Sequence, residues 1–169
     1  MSEQNESDLR LRVDWTSLTF VPADIFGAGK VIVFANICDR DMQPYATDFR
    51  AQLQAYTHEL KAKERLEAYM APEIEGFLLQ GVDAEQHYDG RKGFTLVSTG
   101  GYFHSLPLDE LRRFIDATAE AQRAMGFGNE KDHPEVAPSQ FEINYRYTDI
   151  VRACDQAQLY KLAWSQART

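Results

Sequence analysis

Glu135-Val136-Ala137-Pro138-Ser139-Gln140-Phe141-Glu142-Ile143 sets two carboxylates at the ends of an Ala-Pro-Ser-Gln turn. Positions 135 and 142 differ by an odd number, so a straight strand would send the two acids to opposite faces. Pro138 and Ser139 break that geometry, because proline favours the second position of a tight turn. A hairpin or bulged turn is therefore expected, with both carboxylates on one side. Upstream, Ala71-Pro72-Glu73-Ile74-Glu75-Gly76-Phe77-Leu78-Leu79 supplies a second pair. Glu73 and Glu75 share a strand face, with Cα atoms about 6.7 Å apart. Two ionised carboxylates at that separation repel by about 2–3 kcal/mol at an effective dielectric of 20. Solvated pairs of this kind are common on strands. Here each acid adjoins apolar residues (Phe77, Leu78, Val136, Ile143), and few bases lie near in sequence. A divalent cation is then the economical counter-charge. Four carboxylates, Glu73, Glu75, Glu135 and Glu142, with at most one imidazole favour Mg²⁺ or Mn²⁺ over Zn²⁺.

The bulk numbers agree with a folded, acidic protein. The chain has 169 residues, 44% of them hydrophobic, and a formal net charge of −8. That length suits one ordinary domain or two small ones sharing an interface. The charge balance argues against a duplex nucleic-acid partner, and no Lys/Arg run suggests an anionic membrane surface. Cys38 and Cys154 show no metal or redox spacing and read as reduced, buried thiols. No apolar stretch approaches the roughly 18 residues of a membrane span, and Met1–Arg10 lacks the apolar core of a secretory signal. A cytoplasmic location is the expectation.

Residues 31–37, Val-Ile-Val-Phe-Ala-Asn-Ile, read as a buried strand, and 39–45 as a loop. Asp48 is expected to cap a helix to about Lys63, with Phe49, Leu53, Tyr56 and Leu60 as its apolar face. A domain boundary is placed after Arg65. Leu66–Leu79 reads as strand interrupted near Pro72, and Gly81–Lys92 as a polar surface loop. Ser98–Phe103 is glycine-hinged, after which Pro107 and Asp109 open a helix. Leu111, Phe114, Ile115, Thr118 and Met125 would mark its buried side, and Gly126 and Gly128 its end. A third helix follows from about Tyr147, with Ile150, Val151, Cys154, Ala157 and Tyr160 on one stripe. Trp15 and Trp164 are expected to be packing residues.

These segments resemble the glutamine synthetase family. Glu73 and Glu75 match its Pro-Glu-x-Glu metal strand. Gly100-Gly101-Tyr102-Phe103 and Met125-Gly126-Phe127 match its Gly-Gly-Tyr-Phe segment and the end of the following helix. His133-Pro134-Glu135-Val136-Ala137-Pro138 through Glu142 is similar to its His-His-Glu-Val-Ala loop, and Arg146 with 155–161 continues the match. The likeness runs from about Glu6 to Gln166. It implies that Glu75, Glu135 and Glu142 hold one ion and that Glu73 helps hold a second. It also implies that Glu130, His133, Tyr145 and Tyr147 lie on the ATP side. The implied reaction joins glutamate to ammonia or another amine through γ-glutamyl phosphate, with ATP, in glutamine biosynthesis. No general acid, base or nucleophile is assigned to this chain.

The resemblance also implies an α+β fold. Residues 1–65 would form a partial β-grasp N-terminal domain, and 66–169 the first part of the catalytic antiparallel sheet with packed helices. Family members are more than twice this length and assemble as stacked rings. The later His and Glu that complete the second ion, and the Arg run that grips phosphates, have no counterpart here; none of His58, His87, His104 and His133 follows Glu142. Catalysis by this chain alone is therefore not expected. The alternative expectation is a non-catalytic metal-binding remnant or a partner of a full-length paralogue. Two local departures are Gly76, where the family usually has an aromatic residue, and Pro134, where it often has His. The turn from Glu135 to Glu142 is also one residue shorter than in the commonest bacterial form, which leaves the acceptor amine open.

Overall fold

A computed structural model describes residues 9–103 and 108–166, and its chain divides into two compact units. The first comprises residues up to Met70 together with Tyr147–Leu159; the second comprises Ala71–Arg146 and the residues from Tyr160 onward. Pro107, expected to help open a helix, falls outside the described residues, as does His104. Among the described residues no helix is long and apolar enough to cross a membrane.

In the first unit, β1 (Arg10–Phe20) pairs antiparallel with β2 (Val31–Cys38), joined through a short helical turn, α1 (Ala23–Phe26). The register breaks between Asp14 and Thr19, where Ser17 Oγ accepts from Phe34 N at 2.8 Å and fills the interrupted ladder. Asp48 caps α2 (Phe49–Glu64), accepting from Arg50 N and Ala51 N, while its other oxygen takes Ile37 N at 2.7 Å. The cap thus also ties the helix to β2. The expected apolar face of α2 is only partly covered: Leu53 and Leu60 are half-buried, while Tyr56 is exposed and Phe49 is 80% exposed. Polar groups also hold the helix. Arg50 gives two hydrogen bonds to Asp155 and one each to Asp14 and Asn36, all at 2.8 Å, and Gln54 bonds Asp14 and Asn36. Trp15, expected to pack, is 70% exposed on β1. The short strands β3 (Tyr69–Met70) and β7 (Thr148–Asp149) pair, and α4 (Ile150–Gln166) begins directly after them, with Asp149 accepting from Arg152 N.

The second unit is built on an antiparallel three-stranded sheet in the order β4 (Glu73–Phe77), β6 (Gln140–Tyr145), β5 (Asn129–Pro134). Between β4 and the next helix lie a one-turn 3₁₀ segment (Ala84–His87) and isolated bridges such as Leu79–Leu96. Asp109 caps α3 (Glu110–Ala124) through Arg112 N. Leu111, Phe114, Ile115 and Thr118 are buried as their spacing predicts. The helix ends in a Schellman arrangement: Gly126 has φ +84°, Gly126 N bonds Arg123 O and Phe127 N bonds Gln122 O.

Period two gives β6 two distinct sides. Phe141, Ile143 and Tyr145 are fully buried on the side where α3 packs. Phe141 meets Phe114 at 5.0 Å and Trp164 at 5.5 Å, so Trp164 is a packing residue as expected. In α4 the buried residues are Ala153, Gln156, Leu159, Tyr160 and Ala163, a stripe displaced from the expected one, which shares only Tyr160 with it. Gly76 answers its local departure: a Cβ there would lie 2.7 Å from Phe141 Cζ. The aromatic ring that fills this space belongs to the neighbouring strand.

Candidate metal centre

The turn between β5 and β6 does what its residues require. Gln140 N bonds Ala137 O at 3.1 Å, Pro138 and Ser139 form the corner, and Ser139 takes φ +61°. Ser139 is fully buried and earns that unusual backbone by its side chain: Oγ accepts from Val97 N and Ser98 N, both at 2.9 Å. Leu78 N bonds Ser139 O, so the turn is held to the residues after β4 as well. Glu135 N bonds Gln140 O at 2.8 Å, continuing the β5–β6 ladder into the turn.

The opposite side of this sheet from α3 carries the chemistry. Glu75 faces Glu142, which faces His133; one row along, Glu73 faces Asn144, which faces Lys131. His133, Glu135 and Glu142 each offer one ligand atom within 4.8 Å of the others. Their side chains are 20%, 15% and 12% exposed, semi-enclosed rather than free in solvent. His133 Nε2 lies 3.9 Å from Glu142 Oε2, and Nδ1 lies 3.8 Å from Glu135 Oε1.

These groups fit a divalent cation. His133 Nδ1 sits 2.9 Å from Pro134 O, and because a carbonyl only accepts, Nδ1 carries the proton. In the neutral ring Nε2 then keeps its lone pair, as metal-ligating imidazoles do when the other nitrogen is tied to a carbonyl. Tyr102 packs its ring against this imidazole at 5.0 Å. Each carboxylate is oriented as well: Val136 N donates to Glu135 Oε2 at 2.9 Å, Asn144 Nδ2 to Glu142 Oε1 at 2.6 Å, and Gln140 Nε2 to Glu75 Oε2 at 2.7 Å.

The cluster differs from the expected set of four acids. Glu73 and Glu75 are exposed and stand outside the three-residue group, although Glu75 is the cross-strand neighbour of Glu142. His133, expected on the nucleotide side, takes the imidazole place within it. Glu130 is exposed, 4.0 Å from Arg146 Nε. Tyr145, expected on the nucleotide side, has its side chain buried in the core against Phe127, because odd-numbered residues of β6 face α3. Tyr147 belongs to the first unit, where it stacks edge-on against Tyr69 at 5.9 Å. Gln140, Asn144 and Tyr102 were missed as site residues. The first two were findable, since alternation along β6 puts 140, 142 and 144 on one side.

An antiparallel sheet with a helix on one side and a carboxylate–imidazole cluster on the other makes this an α+β protein with a candidate divalent-cation centre. The chain belongs to the glutamine synthetase catalytic-domain family, whose model matches residues 46–168. It is 36% identical over 163 residues to glutamine synthetase of Staphylococcus aureus (strain MW2) and 31% identical over 159 residues to that of Thermotoga maritima. Each match covers 93% of this chain and 34% of the relative, so the chain spans about a third of the length of these proteins. The cryo-electron-microscopy structure of Plasmodium falciparum glutamine synthetase has a similar fold, with a TM-score of 0.78 at 18% identity, covering 99% of this chain and 38% of that one. A crystal structure of a glutamine synthase homologue gives a TM-score of 0.67 at 20% identity, covering 97% of this chain and 36% of that one. The fold is mixed helix and strand, like that of glutamine synthetase.

Proposed function

We propose that this chain carries a cation centre of a glutamine synthetase-like ligase, with His133, Glu135 and Glu142 holding Mg²⁺ or Mn²⁺ and Glu75 beside them. The observation that supports it is the convergence of three oriented ligand atoms within 4.8 Å, on a sheet of a family of carboxylate–amine ligases. In the proposed reaction the side-chain carboxylate of glutamate attacks the γ-phosphate of ATP, and ammonia or a larger amine displaces the acyl phosphate. A bound divalent ion would supply the positive charge that lets a carboxylate approach a polyphosphate. The residues of this chain contribute carboxylate oxygens at Glu135 and Glu142 and an imidazole nitrogen at His133, oriented before any ligand arrives.

Glu73, one row from the cluster, is proposed to serve a second ion. Glu130 and Tyr147 are carried as nucleotide-side residues on the family likeness. The described residues present one three-ligand cluster where the reaction calls for two ions, so this chain by itself is proposed to bind metal without turnover. The partners proposed with it are glutamate, an amine, ATP and further copies of the chain or a longer paralogue in a ring. Calorimetric titration with Mn²⁺ tests the centre: binding that His133→Ala and Glu142→Gln abolish is expected, and a wild-type chain that binds none refutes it. Glutamate-dependent phosphate release from ATP by the purified chain would refute only the absence of turnover.

A further inference from the structure

We propose that Asn144 is a positioning residue of the cation centre: its carboxamide reserves Glu142 Oε1 and leaves Oε2 as the ligand atom beside His133. This inference rests on the metal reading above. Gln140, Glu142 and Asn144 alternate along β6 and share the side away from α3. Asn144 Nδ2 donates to Glu142 Oε1 at 2.6 Å, whereas Glu142 Oε2 is the oxygen 3.9 Å from His133 Nε2. The two oxygens of one carboxylate therefore have separate tasks.

The donor is not a solvated surface amide. Asn144 is only 8% exposed, and its Oδ1 is buried without a hydrogen-bond partner. A buried amide left half satisfied is costly, and turning it over would set Oδ1 against Glu142 Oε1, two acceptors in contact. The carboxylate thus dictates the orientation, and the unpaired end is what that orientation costs. An amide also suits a cation centre better than a basic side chain would. It fixes the carboxylate without bringing a positive charge to compete with the ion. Lys131 is the cross-strand neighbour of Asn144 on β5, yet among the described residues no ion pair joins it to Glu142. Gln140 treats Glu75 in the same manner at 2.7 Å, but at an exposed contact.

The test titrates Mn²⁺ into the full chain and into Asn144→Ala and Asn144→Leu. Calorimetry reads affinity, and water-proton relaxation reads the hydration of the bound ion. Leucine fills the volume that alanine vacates, so an effect common to both is not a packing effect. Both variants are expected to bind Mn²⁺ about 10–100-fold more weakly, the range for outer partners of metal ligands. Both should also change the relaxation enhancement per bound ion, because the released Oε1 competes with water for it. Two results would overturn the role of Asn144 while leaving the centre intact. One is affinity within about threefold of wild type in either variant, well short of that range, while Glu142→Gln abolishes binding. The other is weaker binding with unchanged relaxation, the signature of a loosened sheet. A wild-type chain that binds no Mn²⁺ would instead overturn the metal reading, and this inference with it.

Discussion

Glu142→Gln should make the metal-free protein more stable while ending its response to cations. Glu142 is directly opposite Glu75 on β4, and such pairs have Cβ atoms about 4.5–5.5 Å apart. Two unit charges about 6 Å apart repel by about 3 kcal/mol at an effective dielectric of 20. Glu75 is exposed, and solvent and salt reduce that term to about 1 kcal/mol. The glutamine side chain keeps an acceptor for Asn144 Nδ2, so the exchange removes charge and little else. For a chain of this size the midpoint should rise by about 2–4 °C. An ion at a hundredfold its Kd stabilises the wild type by about 2.7 kcal/mol, about 5–10 °C. The neutral variant should show almost none of that gain. Scanning calorimetry at pH 8, with and without Mn²⁺, reads both quantities. A variant that melts below wild type, or that keeps the metal-induced shift, refutes the reasoning.

Gly76→Ala should cost about 1–3 kcal/mol, as overpacking does, because its Cβ would meet Phe141 Cζ at 2.7 Å. Urea unfolding of Gly76→Ala with Phe141→Leu should show the pair coupled, and strict additivity would contradict the contact. Ser139→Ala should lose about 2–4 kcal/mol by stranding Val97 N and Ser98 N in a buried turn. Ser139→Gly should lose about 1 kcal/mol less, since glycine accepts φ +61° without strain; equal losses would remove the backbone part of the argument. Asp14 is held at about 2, below its ordinary 3.8, by hydrogen bonds from Thr16 and Arg50. A depressed carboxylate stabilises the fold fully above pH 4 and loses that effect as the pH falls through 2. The contribution is about 1 kcal/mol after allowance for solvent screening, so Asp14→Asn should flatten the acid limb of stability between pH 4 and 2. An unchanged acid limb would count against it.

The legible parts of this chain were those governed by short range. Asp48 and Asp109 announced helix starts because capping needs only the next three residues. Pro138 and Ser139 announced the turn, and the turn brought Glu135 and Glu142 together. Where a face had to be assigned a partner, periodicity was insufficient. Phe49, Leu53, Tyr56 and Leu60 form an apolar stripe, yet Phe49 and Tyr56 stay exposed, and α2 is also held through Arg50 and Gln54 to partners as far away as Asp155, 105 positions along the chain. Trp15 was misread for the same reason: hydrophobicity predicts burial only when something arrives to cover it. His133 was seen, but its place among the acids depends on pairing across from Glu142, which local pattern does not specify.

β6 serves two masters at once, its odd positions feeding the core and its even positions feeding the candidate cation centre. A slip of one residue against its neighbours would exchange the two sets wholesale. Gln140, Glu142 and Asn144 would be driven into the greasy interior, while Phe141, Ile143 and Tyr145 would be thrust into water. No half-correct alignment exists for such a strand. Misalignment would therefore be punished through solvation before any chemistry was attempted, and correct folding of the core would deliver an aligned set of ligands as a by-product.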